Sequence, residues 1–280
     1  MDMAEKISQS GWRAQLDLEF ERRETRSVLA SKRHDGPLVV QKSLYPEGEG
    51  ICHAIVVHPP AGIAGGDYLG LSVGAGAESH AVLATPGAGK WYRSSGDWAR
   101  QIIRFELGAN ARLEWLPQES IFFDGALAEL RTDIHLRPGA RYIGWDILCF
   151  GRGGAAQRMR HGHCKMLTRV TSDGKPVFIE RGDIEGGSAQ FDSPVALGGH
   201  SVCGTMLAIA SRCDKEMLAA CRKYLPERGE GAVSLLPGVL VARYLGDSSE
   251  SAKHYFMQLR RVLRPAIMDC ESTDLRIWST

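Results

Sequence analysis

Alternation of apolar and polar residues is the feature that most constrains the fold of this chain. In WRAQLDLEF, residues 12–20, every second residue is apolar and those between are charged or polar. A period of two is typical of a β-strand with one buried face. The alternation recurs at residues 69–73, 103–107 and 130–136, while ICHAIVVHPP and VCGTMLAIAS indicate more fully buried strands. The sequence therefore predicts a mainly β protein.

A weak internal repeat indicates how these strands are arranged. The segments GAESHAVL, GANARLEW and GARYIGWD begin at Gly76, Gly108 and Gly139, and each places Gly-Ala at a turn that enters a strand. Spacings of 32 and 31 residues are typical of stacked strand–turn–strand units that share one core. The alternative is coincidence in a chain rich in Gly and Ala.

Helical periodicity occurs only late in the chain. DKEMLAACRKYL, from Asp214, and SSESAKHYFMQLRRVLRP, from Ser248, carry apolar residues at intervals of three and four. Serines suited to an N-cap open the second segment, and Pro265 is expected to end its helix. No linker rich in Pro, Ser and Gly separates the segments. We therefore expect one domain over residues 1–280, mainly β, with two C-terminal α-helices.

Charge, hydropathy and cysteine content exclude several classes of protein. A formal net charge of +1 is too small to attract polyanions without specific contacts, so nucleic acid is not an expected partner. No apolar run approaches the roughly 20 residues that span a bilayer, and Met1–Ser10 lacks the apolar region of a signal peptide. The seven cysteines form no C-x-x-C pair, which favours reduced thiols and a cytoplasmic protein without membrane association.

A partial match to a phosphate-binding loop occurs in LATPGAGKWYRSSG, residues 83–96. Gly89 and Lys90 occupy the expected positions, but Ala84 replaces the first glycine of the pattern and Trp91 replaces the hydroxyl residue. That hydroxyl holds Mg²⁺ in nucleotide-binding loops, and an indole cannot do so. We therefore expect no nucleotide site here.

Carboxylates are concentrated in LEWLPQESIFFDGA, which supplies Glu114, Glu119 and Asp124 around two aromatic residues. Paired carboxylates could serve acid–base chemistry, and an alternating strand with solvated acids would look the same. No H-E-x-x-H helix occurs in the sequence. The residues alone point to no enzyme class.

Two further stretches carry side chains that could bind a metal. His58 and Asp67 flank the glycine-built loop of HPPAGIAGGDYL, where the alternative is a rigid turn with a hydrogen-bonding His and a capping Asp. In HGHC, His161 and His163 would share one face of a strand beside Cys164 and could bind Ni²⁺ or Zn²⁺, although the neighbouring Arg and Lys residues oppose a cation site. A β-rich metal-dependent hydrolase using either set is the alternative function.

Taken in order, these stretches resemble the UreD family of urease accessory proteins, called UreH in some organisms. The segments that carry the resemblance are VVHPPAGIAGGDYL, LATPGAGKWYRSSG, LEWLPQESIFFDGA, WDILCFGR and the RIW of residues 276–278. The resemblance implies stacked, β-helix-like sheets, no enzymatic activity, and a Gly-rich TPGAGKWYRS turn that builds structure.

The same resemblance implies a scaffold that bridges apo-urease and a complex of UreF with the GTPase UreG, which UreF recruits. Through that bridge the protein would help to pass Ni²⁺ into the urease active site. No tightly bound cofactor is expected, and Ni²⁺ would be held only transiently.

Residue by residue, the family's motifs fall on a defined set of positions in this chain. The motif and structural positions are His58, Pro59, Gly65, Gly66, Asp67, Thr85, Lys90, Arg93, Glu119 and Arg152. The candidates for lining a metal route are Asp146, Asp67, Glu180, His161 and His163. Asp146 is the first candidate because the family has an acidic residue there, ahead of its Gly-Arg pair. For each candidate, a buried hydrogen bond or ion pair is the alternative.

One position departs from the family's pattern. Gln157 stands where the family carries an acidic residue after the Gly-Arg pair. Without a carboxylate, this position is a weaker candidate for a nickel ligand. That His161 and His163 take over its role is a hypothesis.

Overall fold

Two β-sheets and two helices make up the computed structural model, which describes residues 11–60, 62–152 and 157–279. The strands are, in chain order, β1 (Arg13–Arg23), β2 (Arg26–Asp35), β3 (Val39–Val40), β4 (Cys52–Val57), β5 (Tyr68–Ala75), β6 (His80–Ala84), β7 (Gly89–Trp91), β8 (Ala99–Leu107), β9 (Arg112–Leu116), β10 (Ser120–Phe122), β11 (Ala126–Leu136), β12 (Arg141–Arg152), β13 (Gln157–Arg158), β14 (Gly162–Ser172), β15 (Lys175–Glu185), β16 (Val202–Ile209), β17 (Glu230–Leu236) and β18 (Val239–Gly246). The helices are α1 (Lys215–Cys221) and α2 (Ser249–Met268), and 3₁₀ turns occur at Ala189–Phe191 and Arg276–Ser279. The predicted fold class, mainly β with two helices late in the chain, is confirmed.

Parallel pairing dominates the middle of both sheets. The first sheet has seven strands in the order β15-β14-β11-β8-β5-β1-β2. The second follows the order β17-β18-β16-β12-β9-β6-β4-β3, with β7, β10 and β13 attached beside β12. Strands β1, β5, β8, β11 and β14 are parallel neighbours in one sheet, as are β4, β6, β9 and β12 in the other. Antiparallel strands complete each end, so the chain coils as a short solenoid between two sheets.

The internal repeat corresponds to successive coils of this solenoid. Each Gly-Ala turn connects a strand of the first sheet to one of the second, so that β5–β6, β8–β9 and β11–β12 are equivalent units. In register, His80 pairs with Arg112, and Arg112 pairs with Arg141. The turns also bond to one another, since the Glu78 N–H donates to the Ala109 carbonyl at 3.0 Å and the Asn110 N–H to the Pro138 carbonyl at 3.0 Å.

Strand alternation places one core between the two sheets. Ala14, Leu16, Leu18 and Phe20 of β1 are buried there, as the sequence pattern predicts. Trp12, the first apolar residue of that pattern, precedes the strand and is 63% exposed. Burial of apolar side chains on these inner faces supplies the main driving force for packing the sheets together.

A second core lies on the outer face of the second sheet, beneath α2. Phe256, Leu259 and Leu263 of the helix pack with Trp145 and Met206 of the sheet. Ser248 caps the helix, its hydroxyl accepting from the Ser251 N–H at 3.1 Å, in agreement with the predicted N-cap. Within the described residues, no helix is long and apolar enough to cross a bilayer.

The expectation that Pro265 ends this helix is wrong, because α2 continues to Met268. Proline removes one backbone donor but has a φ that suits a helix. Ile267 and Met268, which follow it, are fully buried against the sheet. Their packing therefore sustains the last turn. The helix ends at Asp269, which adopts a left-handed conformation with φ of 56°.

Candidate functional site

Three of the motif stretches converge on a cavity of about 250 Å³ that is lined by both sheets. HPPAGIAGGDYL contributes His58 and Gly62, and the TPGAGK turn contributes residues 85–90. Pro117 and Gln118 come from the third stretch. The motifs therefore build the wall of one interior space, which we call the smaller cavity.

A larger cavity, of about 500 Å³, lies between the C-terminal parts of the two sheets. Its wall includes Glu180 of β15, Cys203 and Thr205 of β16, and Arg243 of β18. Two side chains, Gln101 of β8 and Asp146 of β12, line both cavities. The smaller and larger cavities therefore adjoin at Gln101 and Asp146.

Asp146 occupies an inward position of β12, a strand whose other inward side chains, Tyr142, Leu148 and Phe150, belong to the hydrophobic core between the sheets. Burial, and then the negative charge of Glu180, raises the pKa of Asp146 from its ordinary value to about 6. Its carboxylate makes no hydrogen bond to any other residue that the structure describes. A carboxyl group of this kind changes protonation close to neutral pH and is available to a cation in the cavity.

Strand register aligns Asp146 with two further polar residues of the larger cavity. Asp146 pairs with Thr205 on β16, and Thr205 pairs with Arg243 on β18. Glu180 meets this row from the opposite sheet: the Arg243 guanidinium donates to its carboxylate, and the Thr205 hydroxyl lies 3.4 Å from Glu180 Oε1. Glu180 therefore lines the cavity wall and also forms an ion pair, which was the alternative to a role in a metal route.

Asp67 serves as a turn cap. Its carboxylate accepts the Trp12 and Ala64 N–H groups, both at 2.8 Å. His58 lies nearby in the wall of the smaller cavity, where burial lowers its pKa against the opposing effect of the Asp67 charge. The pair therefore fits the rigid-turn alternative, with His58 neutral and directed to interior space.

Close approach explains the glycines of this loop. A Cβ atom on Gly65 would lie 2.3 Å from the Ser94 hydroxyl oxygen, and Gly66 has a φ of +91°. The loop must therefore pack directly on the stretch that follows the TPGAGK turn. Pro59 lies in the exposed turn that precedes it.

Hydrogen bonds join the remaining motif positions to one another. The Thr85 hydroxyl accepts from the Gln118 N–H at 2.8 Å, and the Glu119 carbonyl accepts from the Gly89 N–H at 2.9 Å. Lys90 is exposed at the rim of the smaller cavity. The segment after Gly89 is strand β7, whereas a phosphate-binding loop requires a helix there. The TPGAGK turn therefore has a structural role.

Arg93 and Arg152 lie outside both cavities and make surface contacts. Arg93 pairs with Asp124 at 3.4 Å, and the Arg152 guanidinium stacks 5.0 Å from the ring centre of Phe123. In the RIW segment, the ring of Trp278 packs 5.9 Å from that of Trp145.

The two histidines of HGHC have separate carboxylate partners. His161 Nδ1 lies 3.2 Å from Asp124 Oδ2, and His163 contacts Asp183. His161 precedes β14 while His163 lies within it, and Cys164 is buried in the core. Among residues 11–60, 62–152 and 157–279, no group of three or more His, Cys, Asp or Glu side chains could hold a metal ion. The described residues thus lack the three-ligand centre that the hydrolase alternative requires. The side chain of Gln157 lies outside the described part of the chain.

Sequence reasoning missed Gln101, Cys203, Thr205 and Arg243. Their only sequence signal is that each occupies a polar or small position in an alternating strand. The cavity that unites them depends on pairing between strands far apart in the chain.

Comparison with known proteins decides the family. The family model described as UreD urease accessory protein matches residues 12–279. The chain belongs to the UreD family of urease accessory proteins. The resemblance inferred from the motifs is therefore confirmed.

Several relatives named urease accessory protein UreD match over nearly their whole length. The protein from Azoarcus sp. strain BH72 is 51% identical over 273 residues, which cover 98% of this chain and 96% of the relative. The protein from Dechloromonas aromatica is 50% identical, covering 96% and 95%. The protein from Pseudomonas aeruginosa is 45% identical, covering 96% and 95%. Membership of the UreD family assigns the chain an accessory role in urease maturation.

Proposed function

We propose that this protein is a non-enzymatic scaffold of urease maturation that conducts Ni²⁺ through the smaller and larger cavities. The observation that carries the proposal is the junction at Asp146, where a carboxyl group without a hydrogen-bond partner among the described residues faces both spaces. A conduit needs polar groups along its interior, and an apolar core otherwise excludes ions.

The chemistry of the lining suits transient binding of a borderline cation. Carboxylate, imidazole and thiolate are ligands for Ni²⁺, and the two walls offer Asp146, Glu180, His58 and Cys203. Conduction requires binding that is favourable enough to admit the ion and weak enough to release it. Separated single ligands meet this requirement better than a compact site would.

Membership of the UreD family supports the proposed partners. In this proposal UreF binds the protein and recruits UreG with its nickel, and apo-urease receives the ion. The setting is the cytoplasm, which agrees with seven cysteines that form no disulfide in the structure.

The test is the nickel content of urease produced with the full set of accessory proteins and Asp146→Asn. We expect urease nickel and activity to fall about fivefold or more, while UreF and apo-urease still co-purify with the variant. Asp192→Asn is the matched control, since this aspartate lies on the surface with a side chain 81% exposed. Full activation with Asp146→Asn, or loss of nickel only together with loss of the partners, would overturn the conduit.

A further inference from the structure

An ion pair joins the two sheets at the larger cavity. Arg243 belongs to β18 of the second sheet, and Glu180 belongs to β15, the edge strand of the first. Arg243 Nη1 donates to Glu180 Oε1 and lies 3.3 Å from the Thr205 hydroxyl oxygen. All three side chains line the larger cavity. The pair therefore spans the space between the sheets.

Exposure differs between the two partners. The Arg243 side chain is 54% exposed, whereas that of Glu180 is 20% exposed. The guanidinium thus lies toward solvent and the carboxylate toward the interior. Cys203 and the Asp146 carboxyl group line the same cavity.

The arrangement has a direct consequence for a cation. While Arg243 pairs with Glu180, the carboxylate offers no uncompensated charge to a cation, and the guanidinium is the solvent-facing member of the pair. A cation entering the cavity comes close to the Arg243 guanidinium. Two positive charges a few ångströms apart repel strongly in a partly desolvated space, where the effective dielectric constant is well below that of water. Because Arg243 is half exposed, a carboxylate from outside could compete for it and release Glu180.

We propose that Arg243 gates the larger cavity, excluding cations while it is paired with Glu180 and admitting them when the guanidinium is drawn away. The inference rests on the proposed passage, since it assigns the control of cation access to that same space. The proposal assigns this role to the positive charge at residue 243 and not to the other positive charges around the cavity.

Cys203, which lines the same cavity as Arg243 and Glu180, provides a reporter of access to that space. Its thiol forms a mixed disulfide with a methanethiosulfonate reagent, which releases methanesulfinate, and peptide mass spectrometry gives the rate at this residue. Burial raises the pKa of the Cys203 thiol to about 12, so labelling is slow. The labelling rate for a trimethylammonium reagent is divided by the rate for a neutral reagent of similar size. Because both rates depend equally on the ionised fraction of the thiol, their ratio does not depend on it. That ratio, measured on the full chain, reports access for positive charge.

Four variants separate the gate from simpler effects. In Arg243→Met we expect the ratio to rise about tenfold, the scale of removing one unit charge a few ångströms away. Arg243→Lys keeps the charge and should stay near the original ratio. Glu180→Gln leaves the guanidinium unneutralised and should lower the ratio. Arg181→Met is the matched control, because this exposed arginine lines the same cavity, and its ratio should change less than twofold.

An unchanged ratio in Arg243→Met, or an equal rise in Arg181→Met, would overturn the gate. The measurement contains no urease, so its outcome is independent of the nickel assay that tests the passage. A failure of Asp146→Asn to reduce urease nickel would refute the conduit, even if Arg243 controlled labelling.

Discussion

Asp146 is held in an environment that penalises its charge. Burial is the main cause and the charge of Glu180 the second, and together they raise its pKa from 3.8 to about 6. A folded pKa above the unfolded value means that the native state binds more protons than the unfolded chain across this range. Asp146 therefore lowers the stability of the fold progressively as pH rises from about 4 to about 6.

Replacement of this carboxyl group should make the protein more stable above neutral pH. We expect Asp146→Asn to raise the free energy of unfolding at pH 8 by up to about 3 kcal/mol, the equivalent of its pKa shift. The gain should shrink as pH falls and vanish at about pH 3, below the ordinary pKa of 3.8, where the carboxyl is protonated in both states. Urea unfolding at the two pH values measures it, and a gain independent of pH would contradict the assignment. The control Asp192→Asn should change stability by less than about 0.5 kcal/mol.

The resemblance to the family was enough to name Asp146 and Glu180, but not their surroundings. Thr205 and Arg243 join Asp146 only through the register of β12, β16 and β18. Alternation in VCGTMLAIAS predicts a strand, yet it cannot tell which strand lies beside it. Pairing across the sheet is therefore the information that local sequence lacks.

At the scale of elements, α2 is fixed to the second sheet by a buried charge cluster of Glu47, His80, Glu114, Arg260 and Arg264. Glu114 on β9 accepts from Arg260 Nε at 2.7 Å, from Arg264 Nε at 2.9 Å and from His80 at 3.1 Å. Arg264 also bonds to Glu47 at 2.9 Å. Burial alone would raise the pKa of Glu114, but Arg260, His80 and Arg264 hold it below its ordinary value.

Removal of the central charge should weaken the attachment of this helix. Glu114→Gln leaves two buried guanidinium groups without their shared partner, and we expect a loss of about 3–5 kcal/mol at pH 7. A lowered folded pKa contributes stability above the unfolded value, here 4.5, and that stability is lost as pH falls below it. The difference in the free energy of unfolding between Glu114→Gln and the original protein should therefore become smaller in acid.

Denaturant unfolding at pH 7 and pH 4 tests this expectation. Glu271→Gln is the control: its side chain is exposed, and only its backbone carbonyl accepts from Arg264. A loss below about 1 kcal/mol for Glu114→Gln at pH 7 would show that the cluster does not anchor α2.

Local sequence predicted some properties of the elements and not others. The strands and the serine N-cap of α2 follow from patterns within about 20 residues, and the repeat of turns follows from the spacings of 32 and 31 residues between Gly76, Gly108 and Gly139. The end of α2 could not be predicted in this way, because burial of Ile267 and Met268 outweighs the backbone N–H donor that Pro265 lacks. The role of Glu114 could not be predicted from local sequence either, because its partner Arg264 is 150 residues away in sequence.

At the scale of the whole molecule, the solenoid creates its interior space where inward positions are polar. Gln101 lies between the buried Ala99 and Ile103 on the same face of β8, and Asp146 has the corresponding place among apolar residues of β12. In register with Gln101 on the neighbouring strands are Leu69 of β5 and Leu130 of β11, which pack in the hydrophobic core. The two polar residues therefore mark the point at which the smaller and larger cavities adjoin.

Filling this junction without altering charge separates a passage from a surface scaffold. We expect Gln101→Phe to lower the nickel content of matured urease about fivefold or more, because the ring occupies the space that both cavities share. Gln101→Asn, which keeps the polar group and removes bulk, should support full maturation. Circular dichroism and co-purification with UreF and urease confirm that the fold and the docking surfaces are intact. If Gln101→Phe matures urease as well as Gln101→Asn does, nickel does not cross the interior, and the protein acts through its surfaces alone.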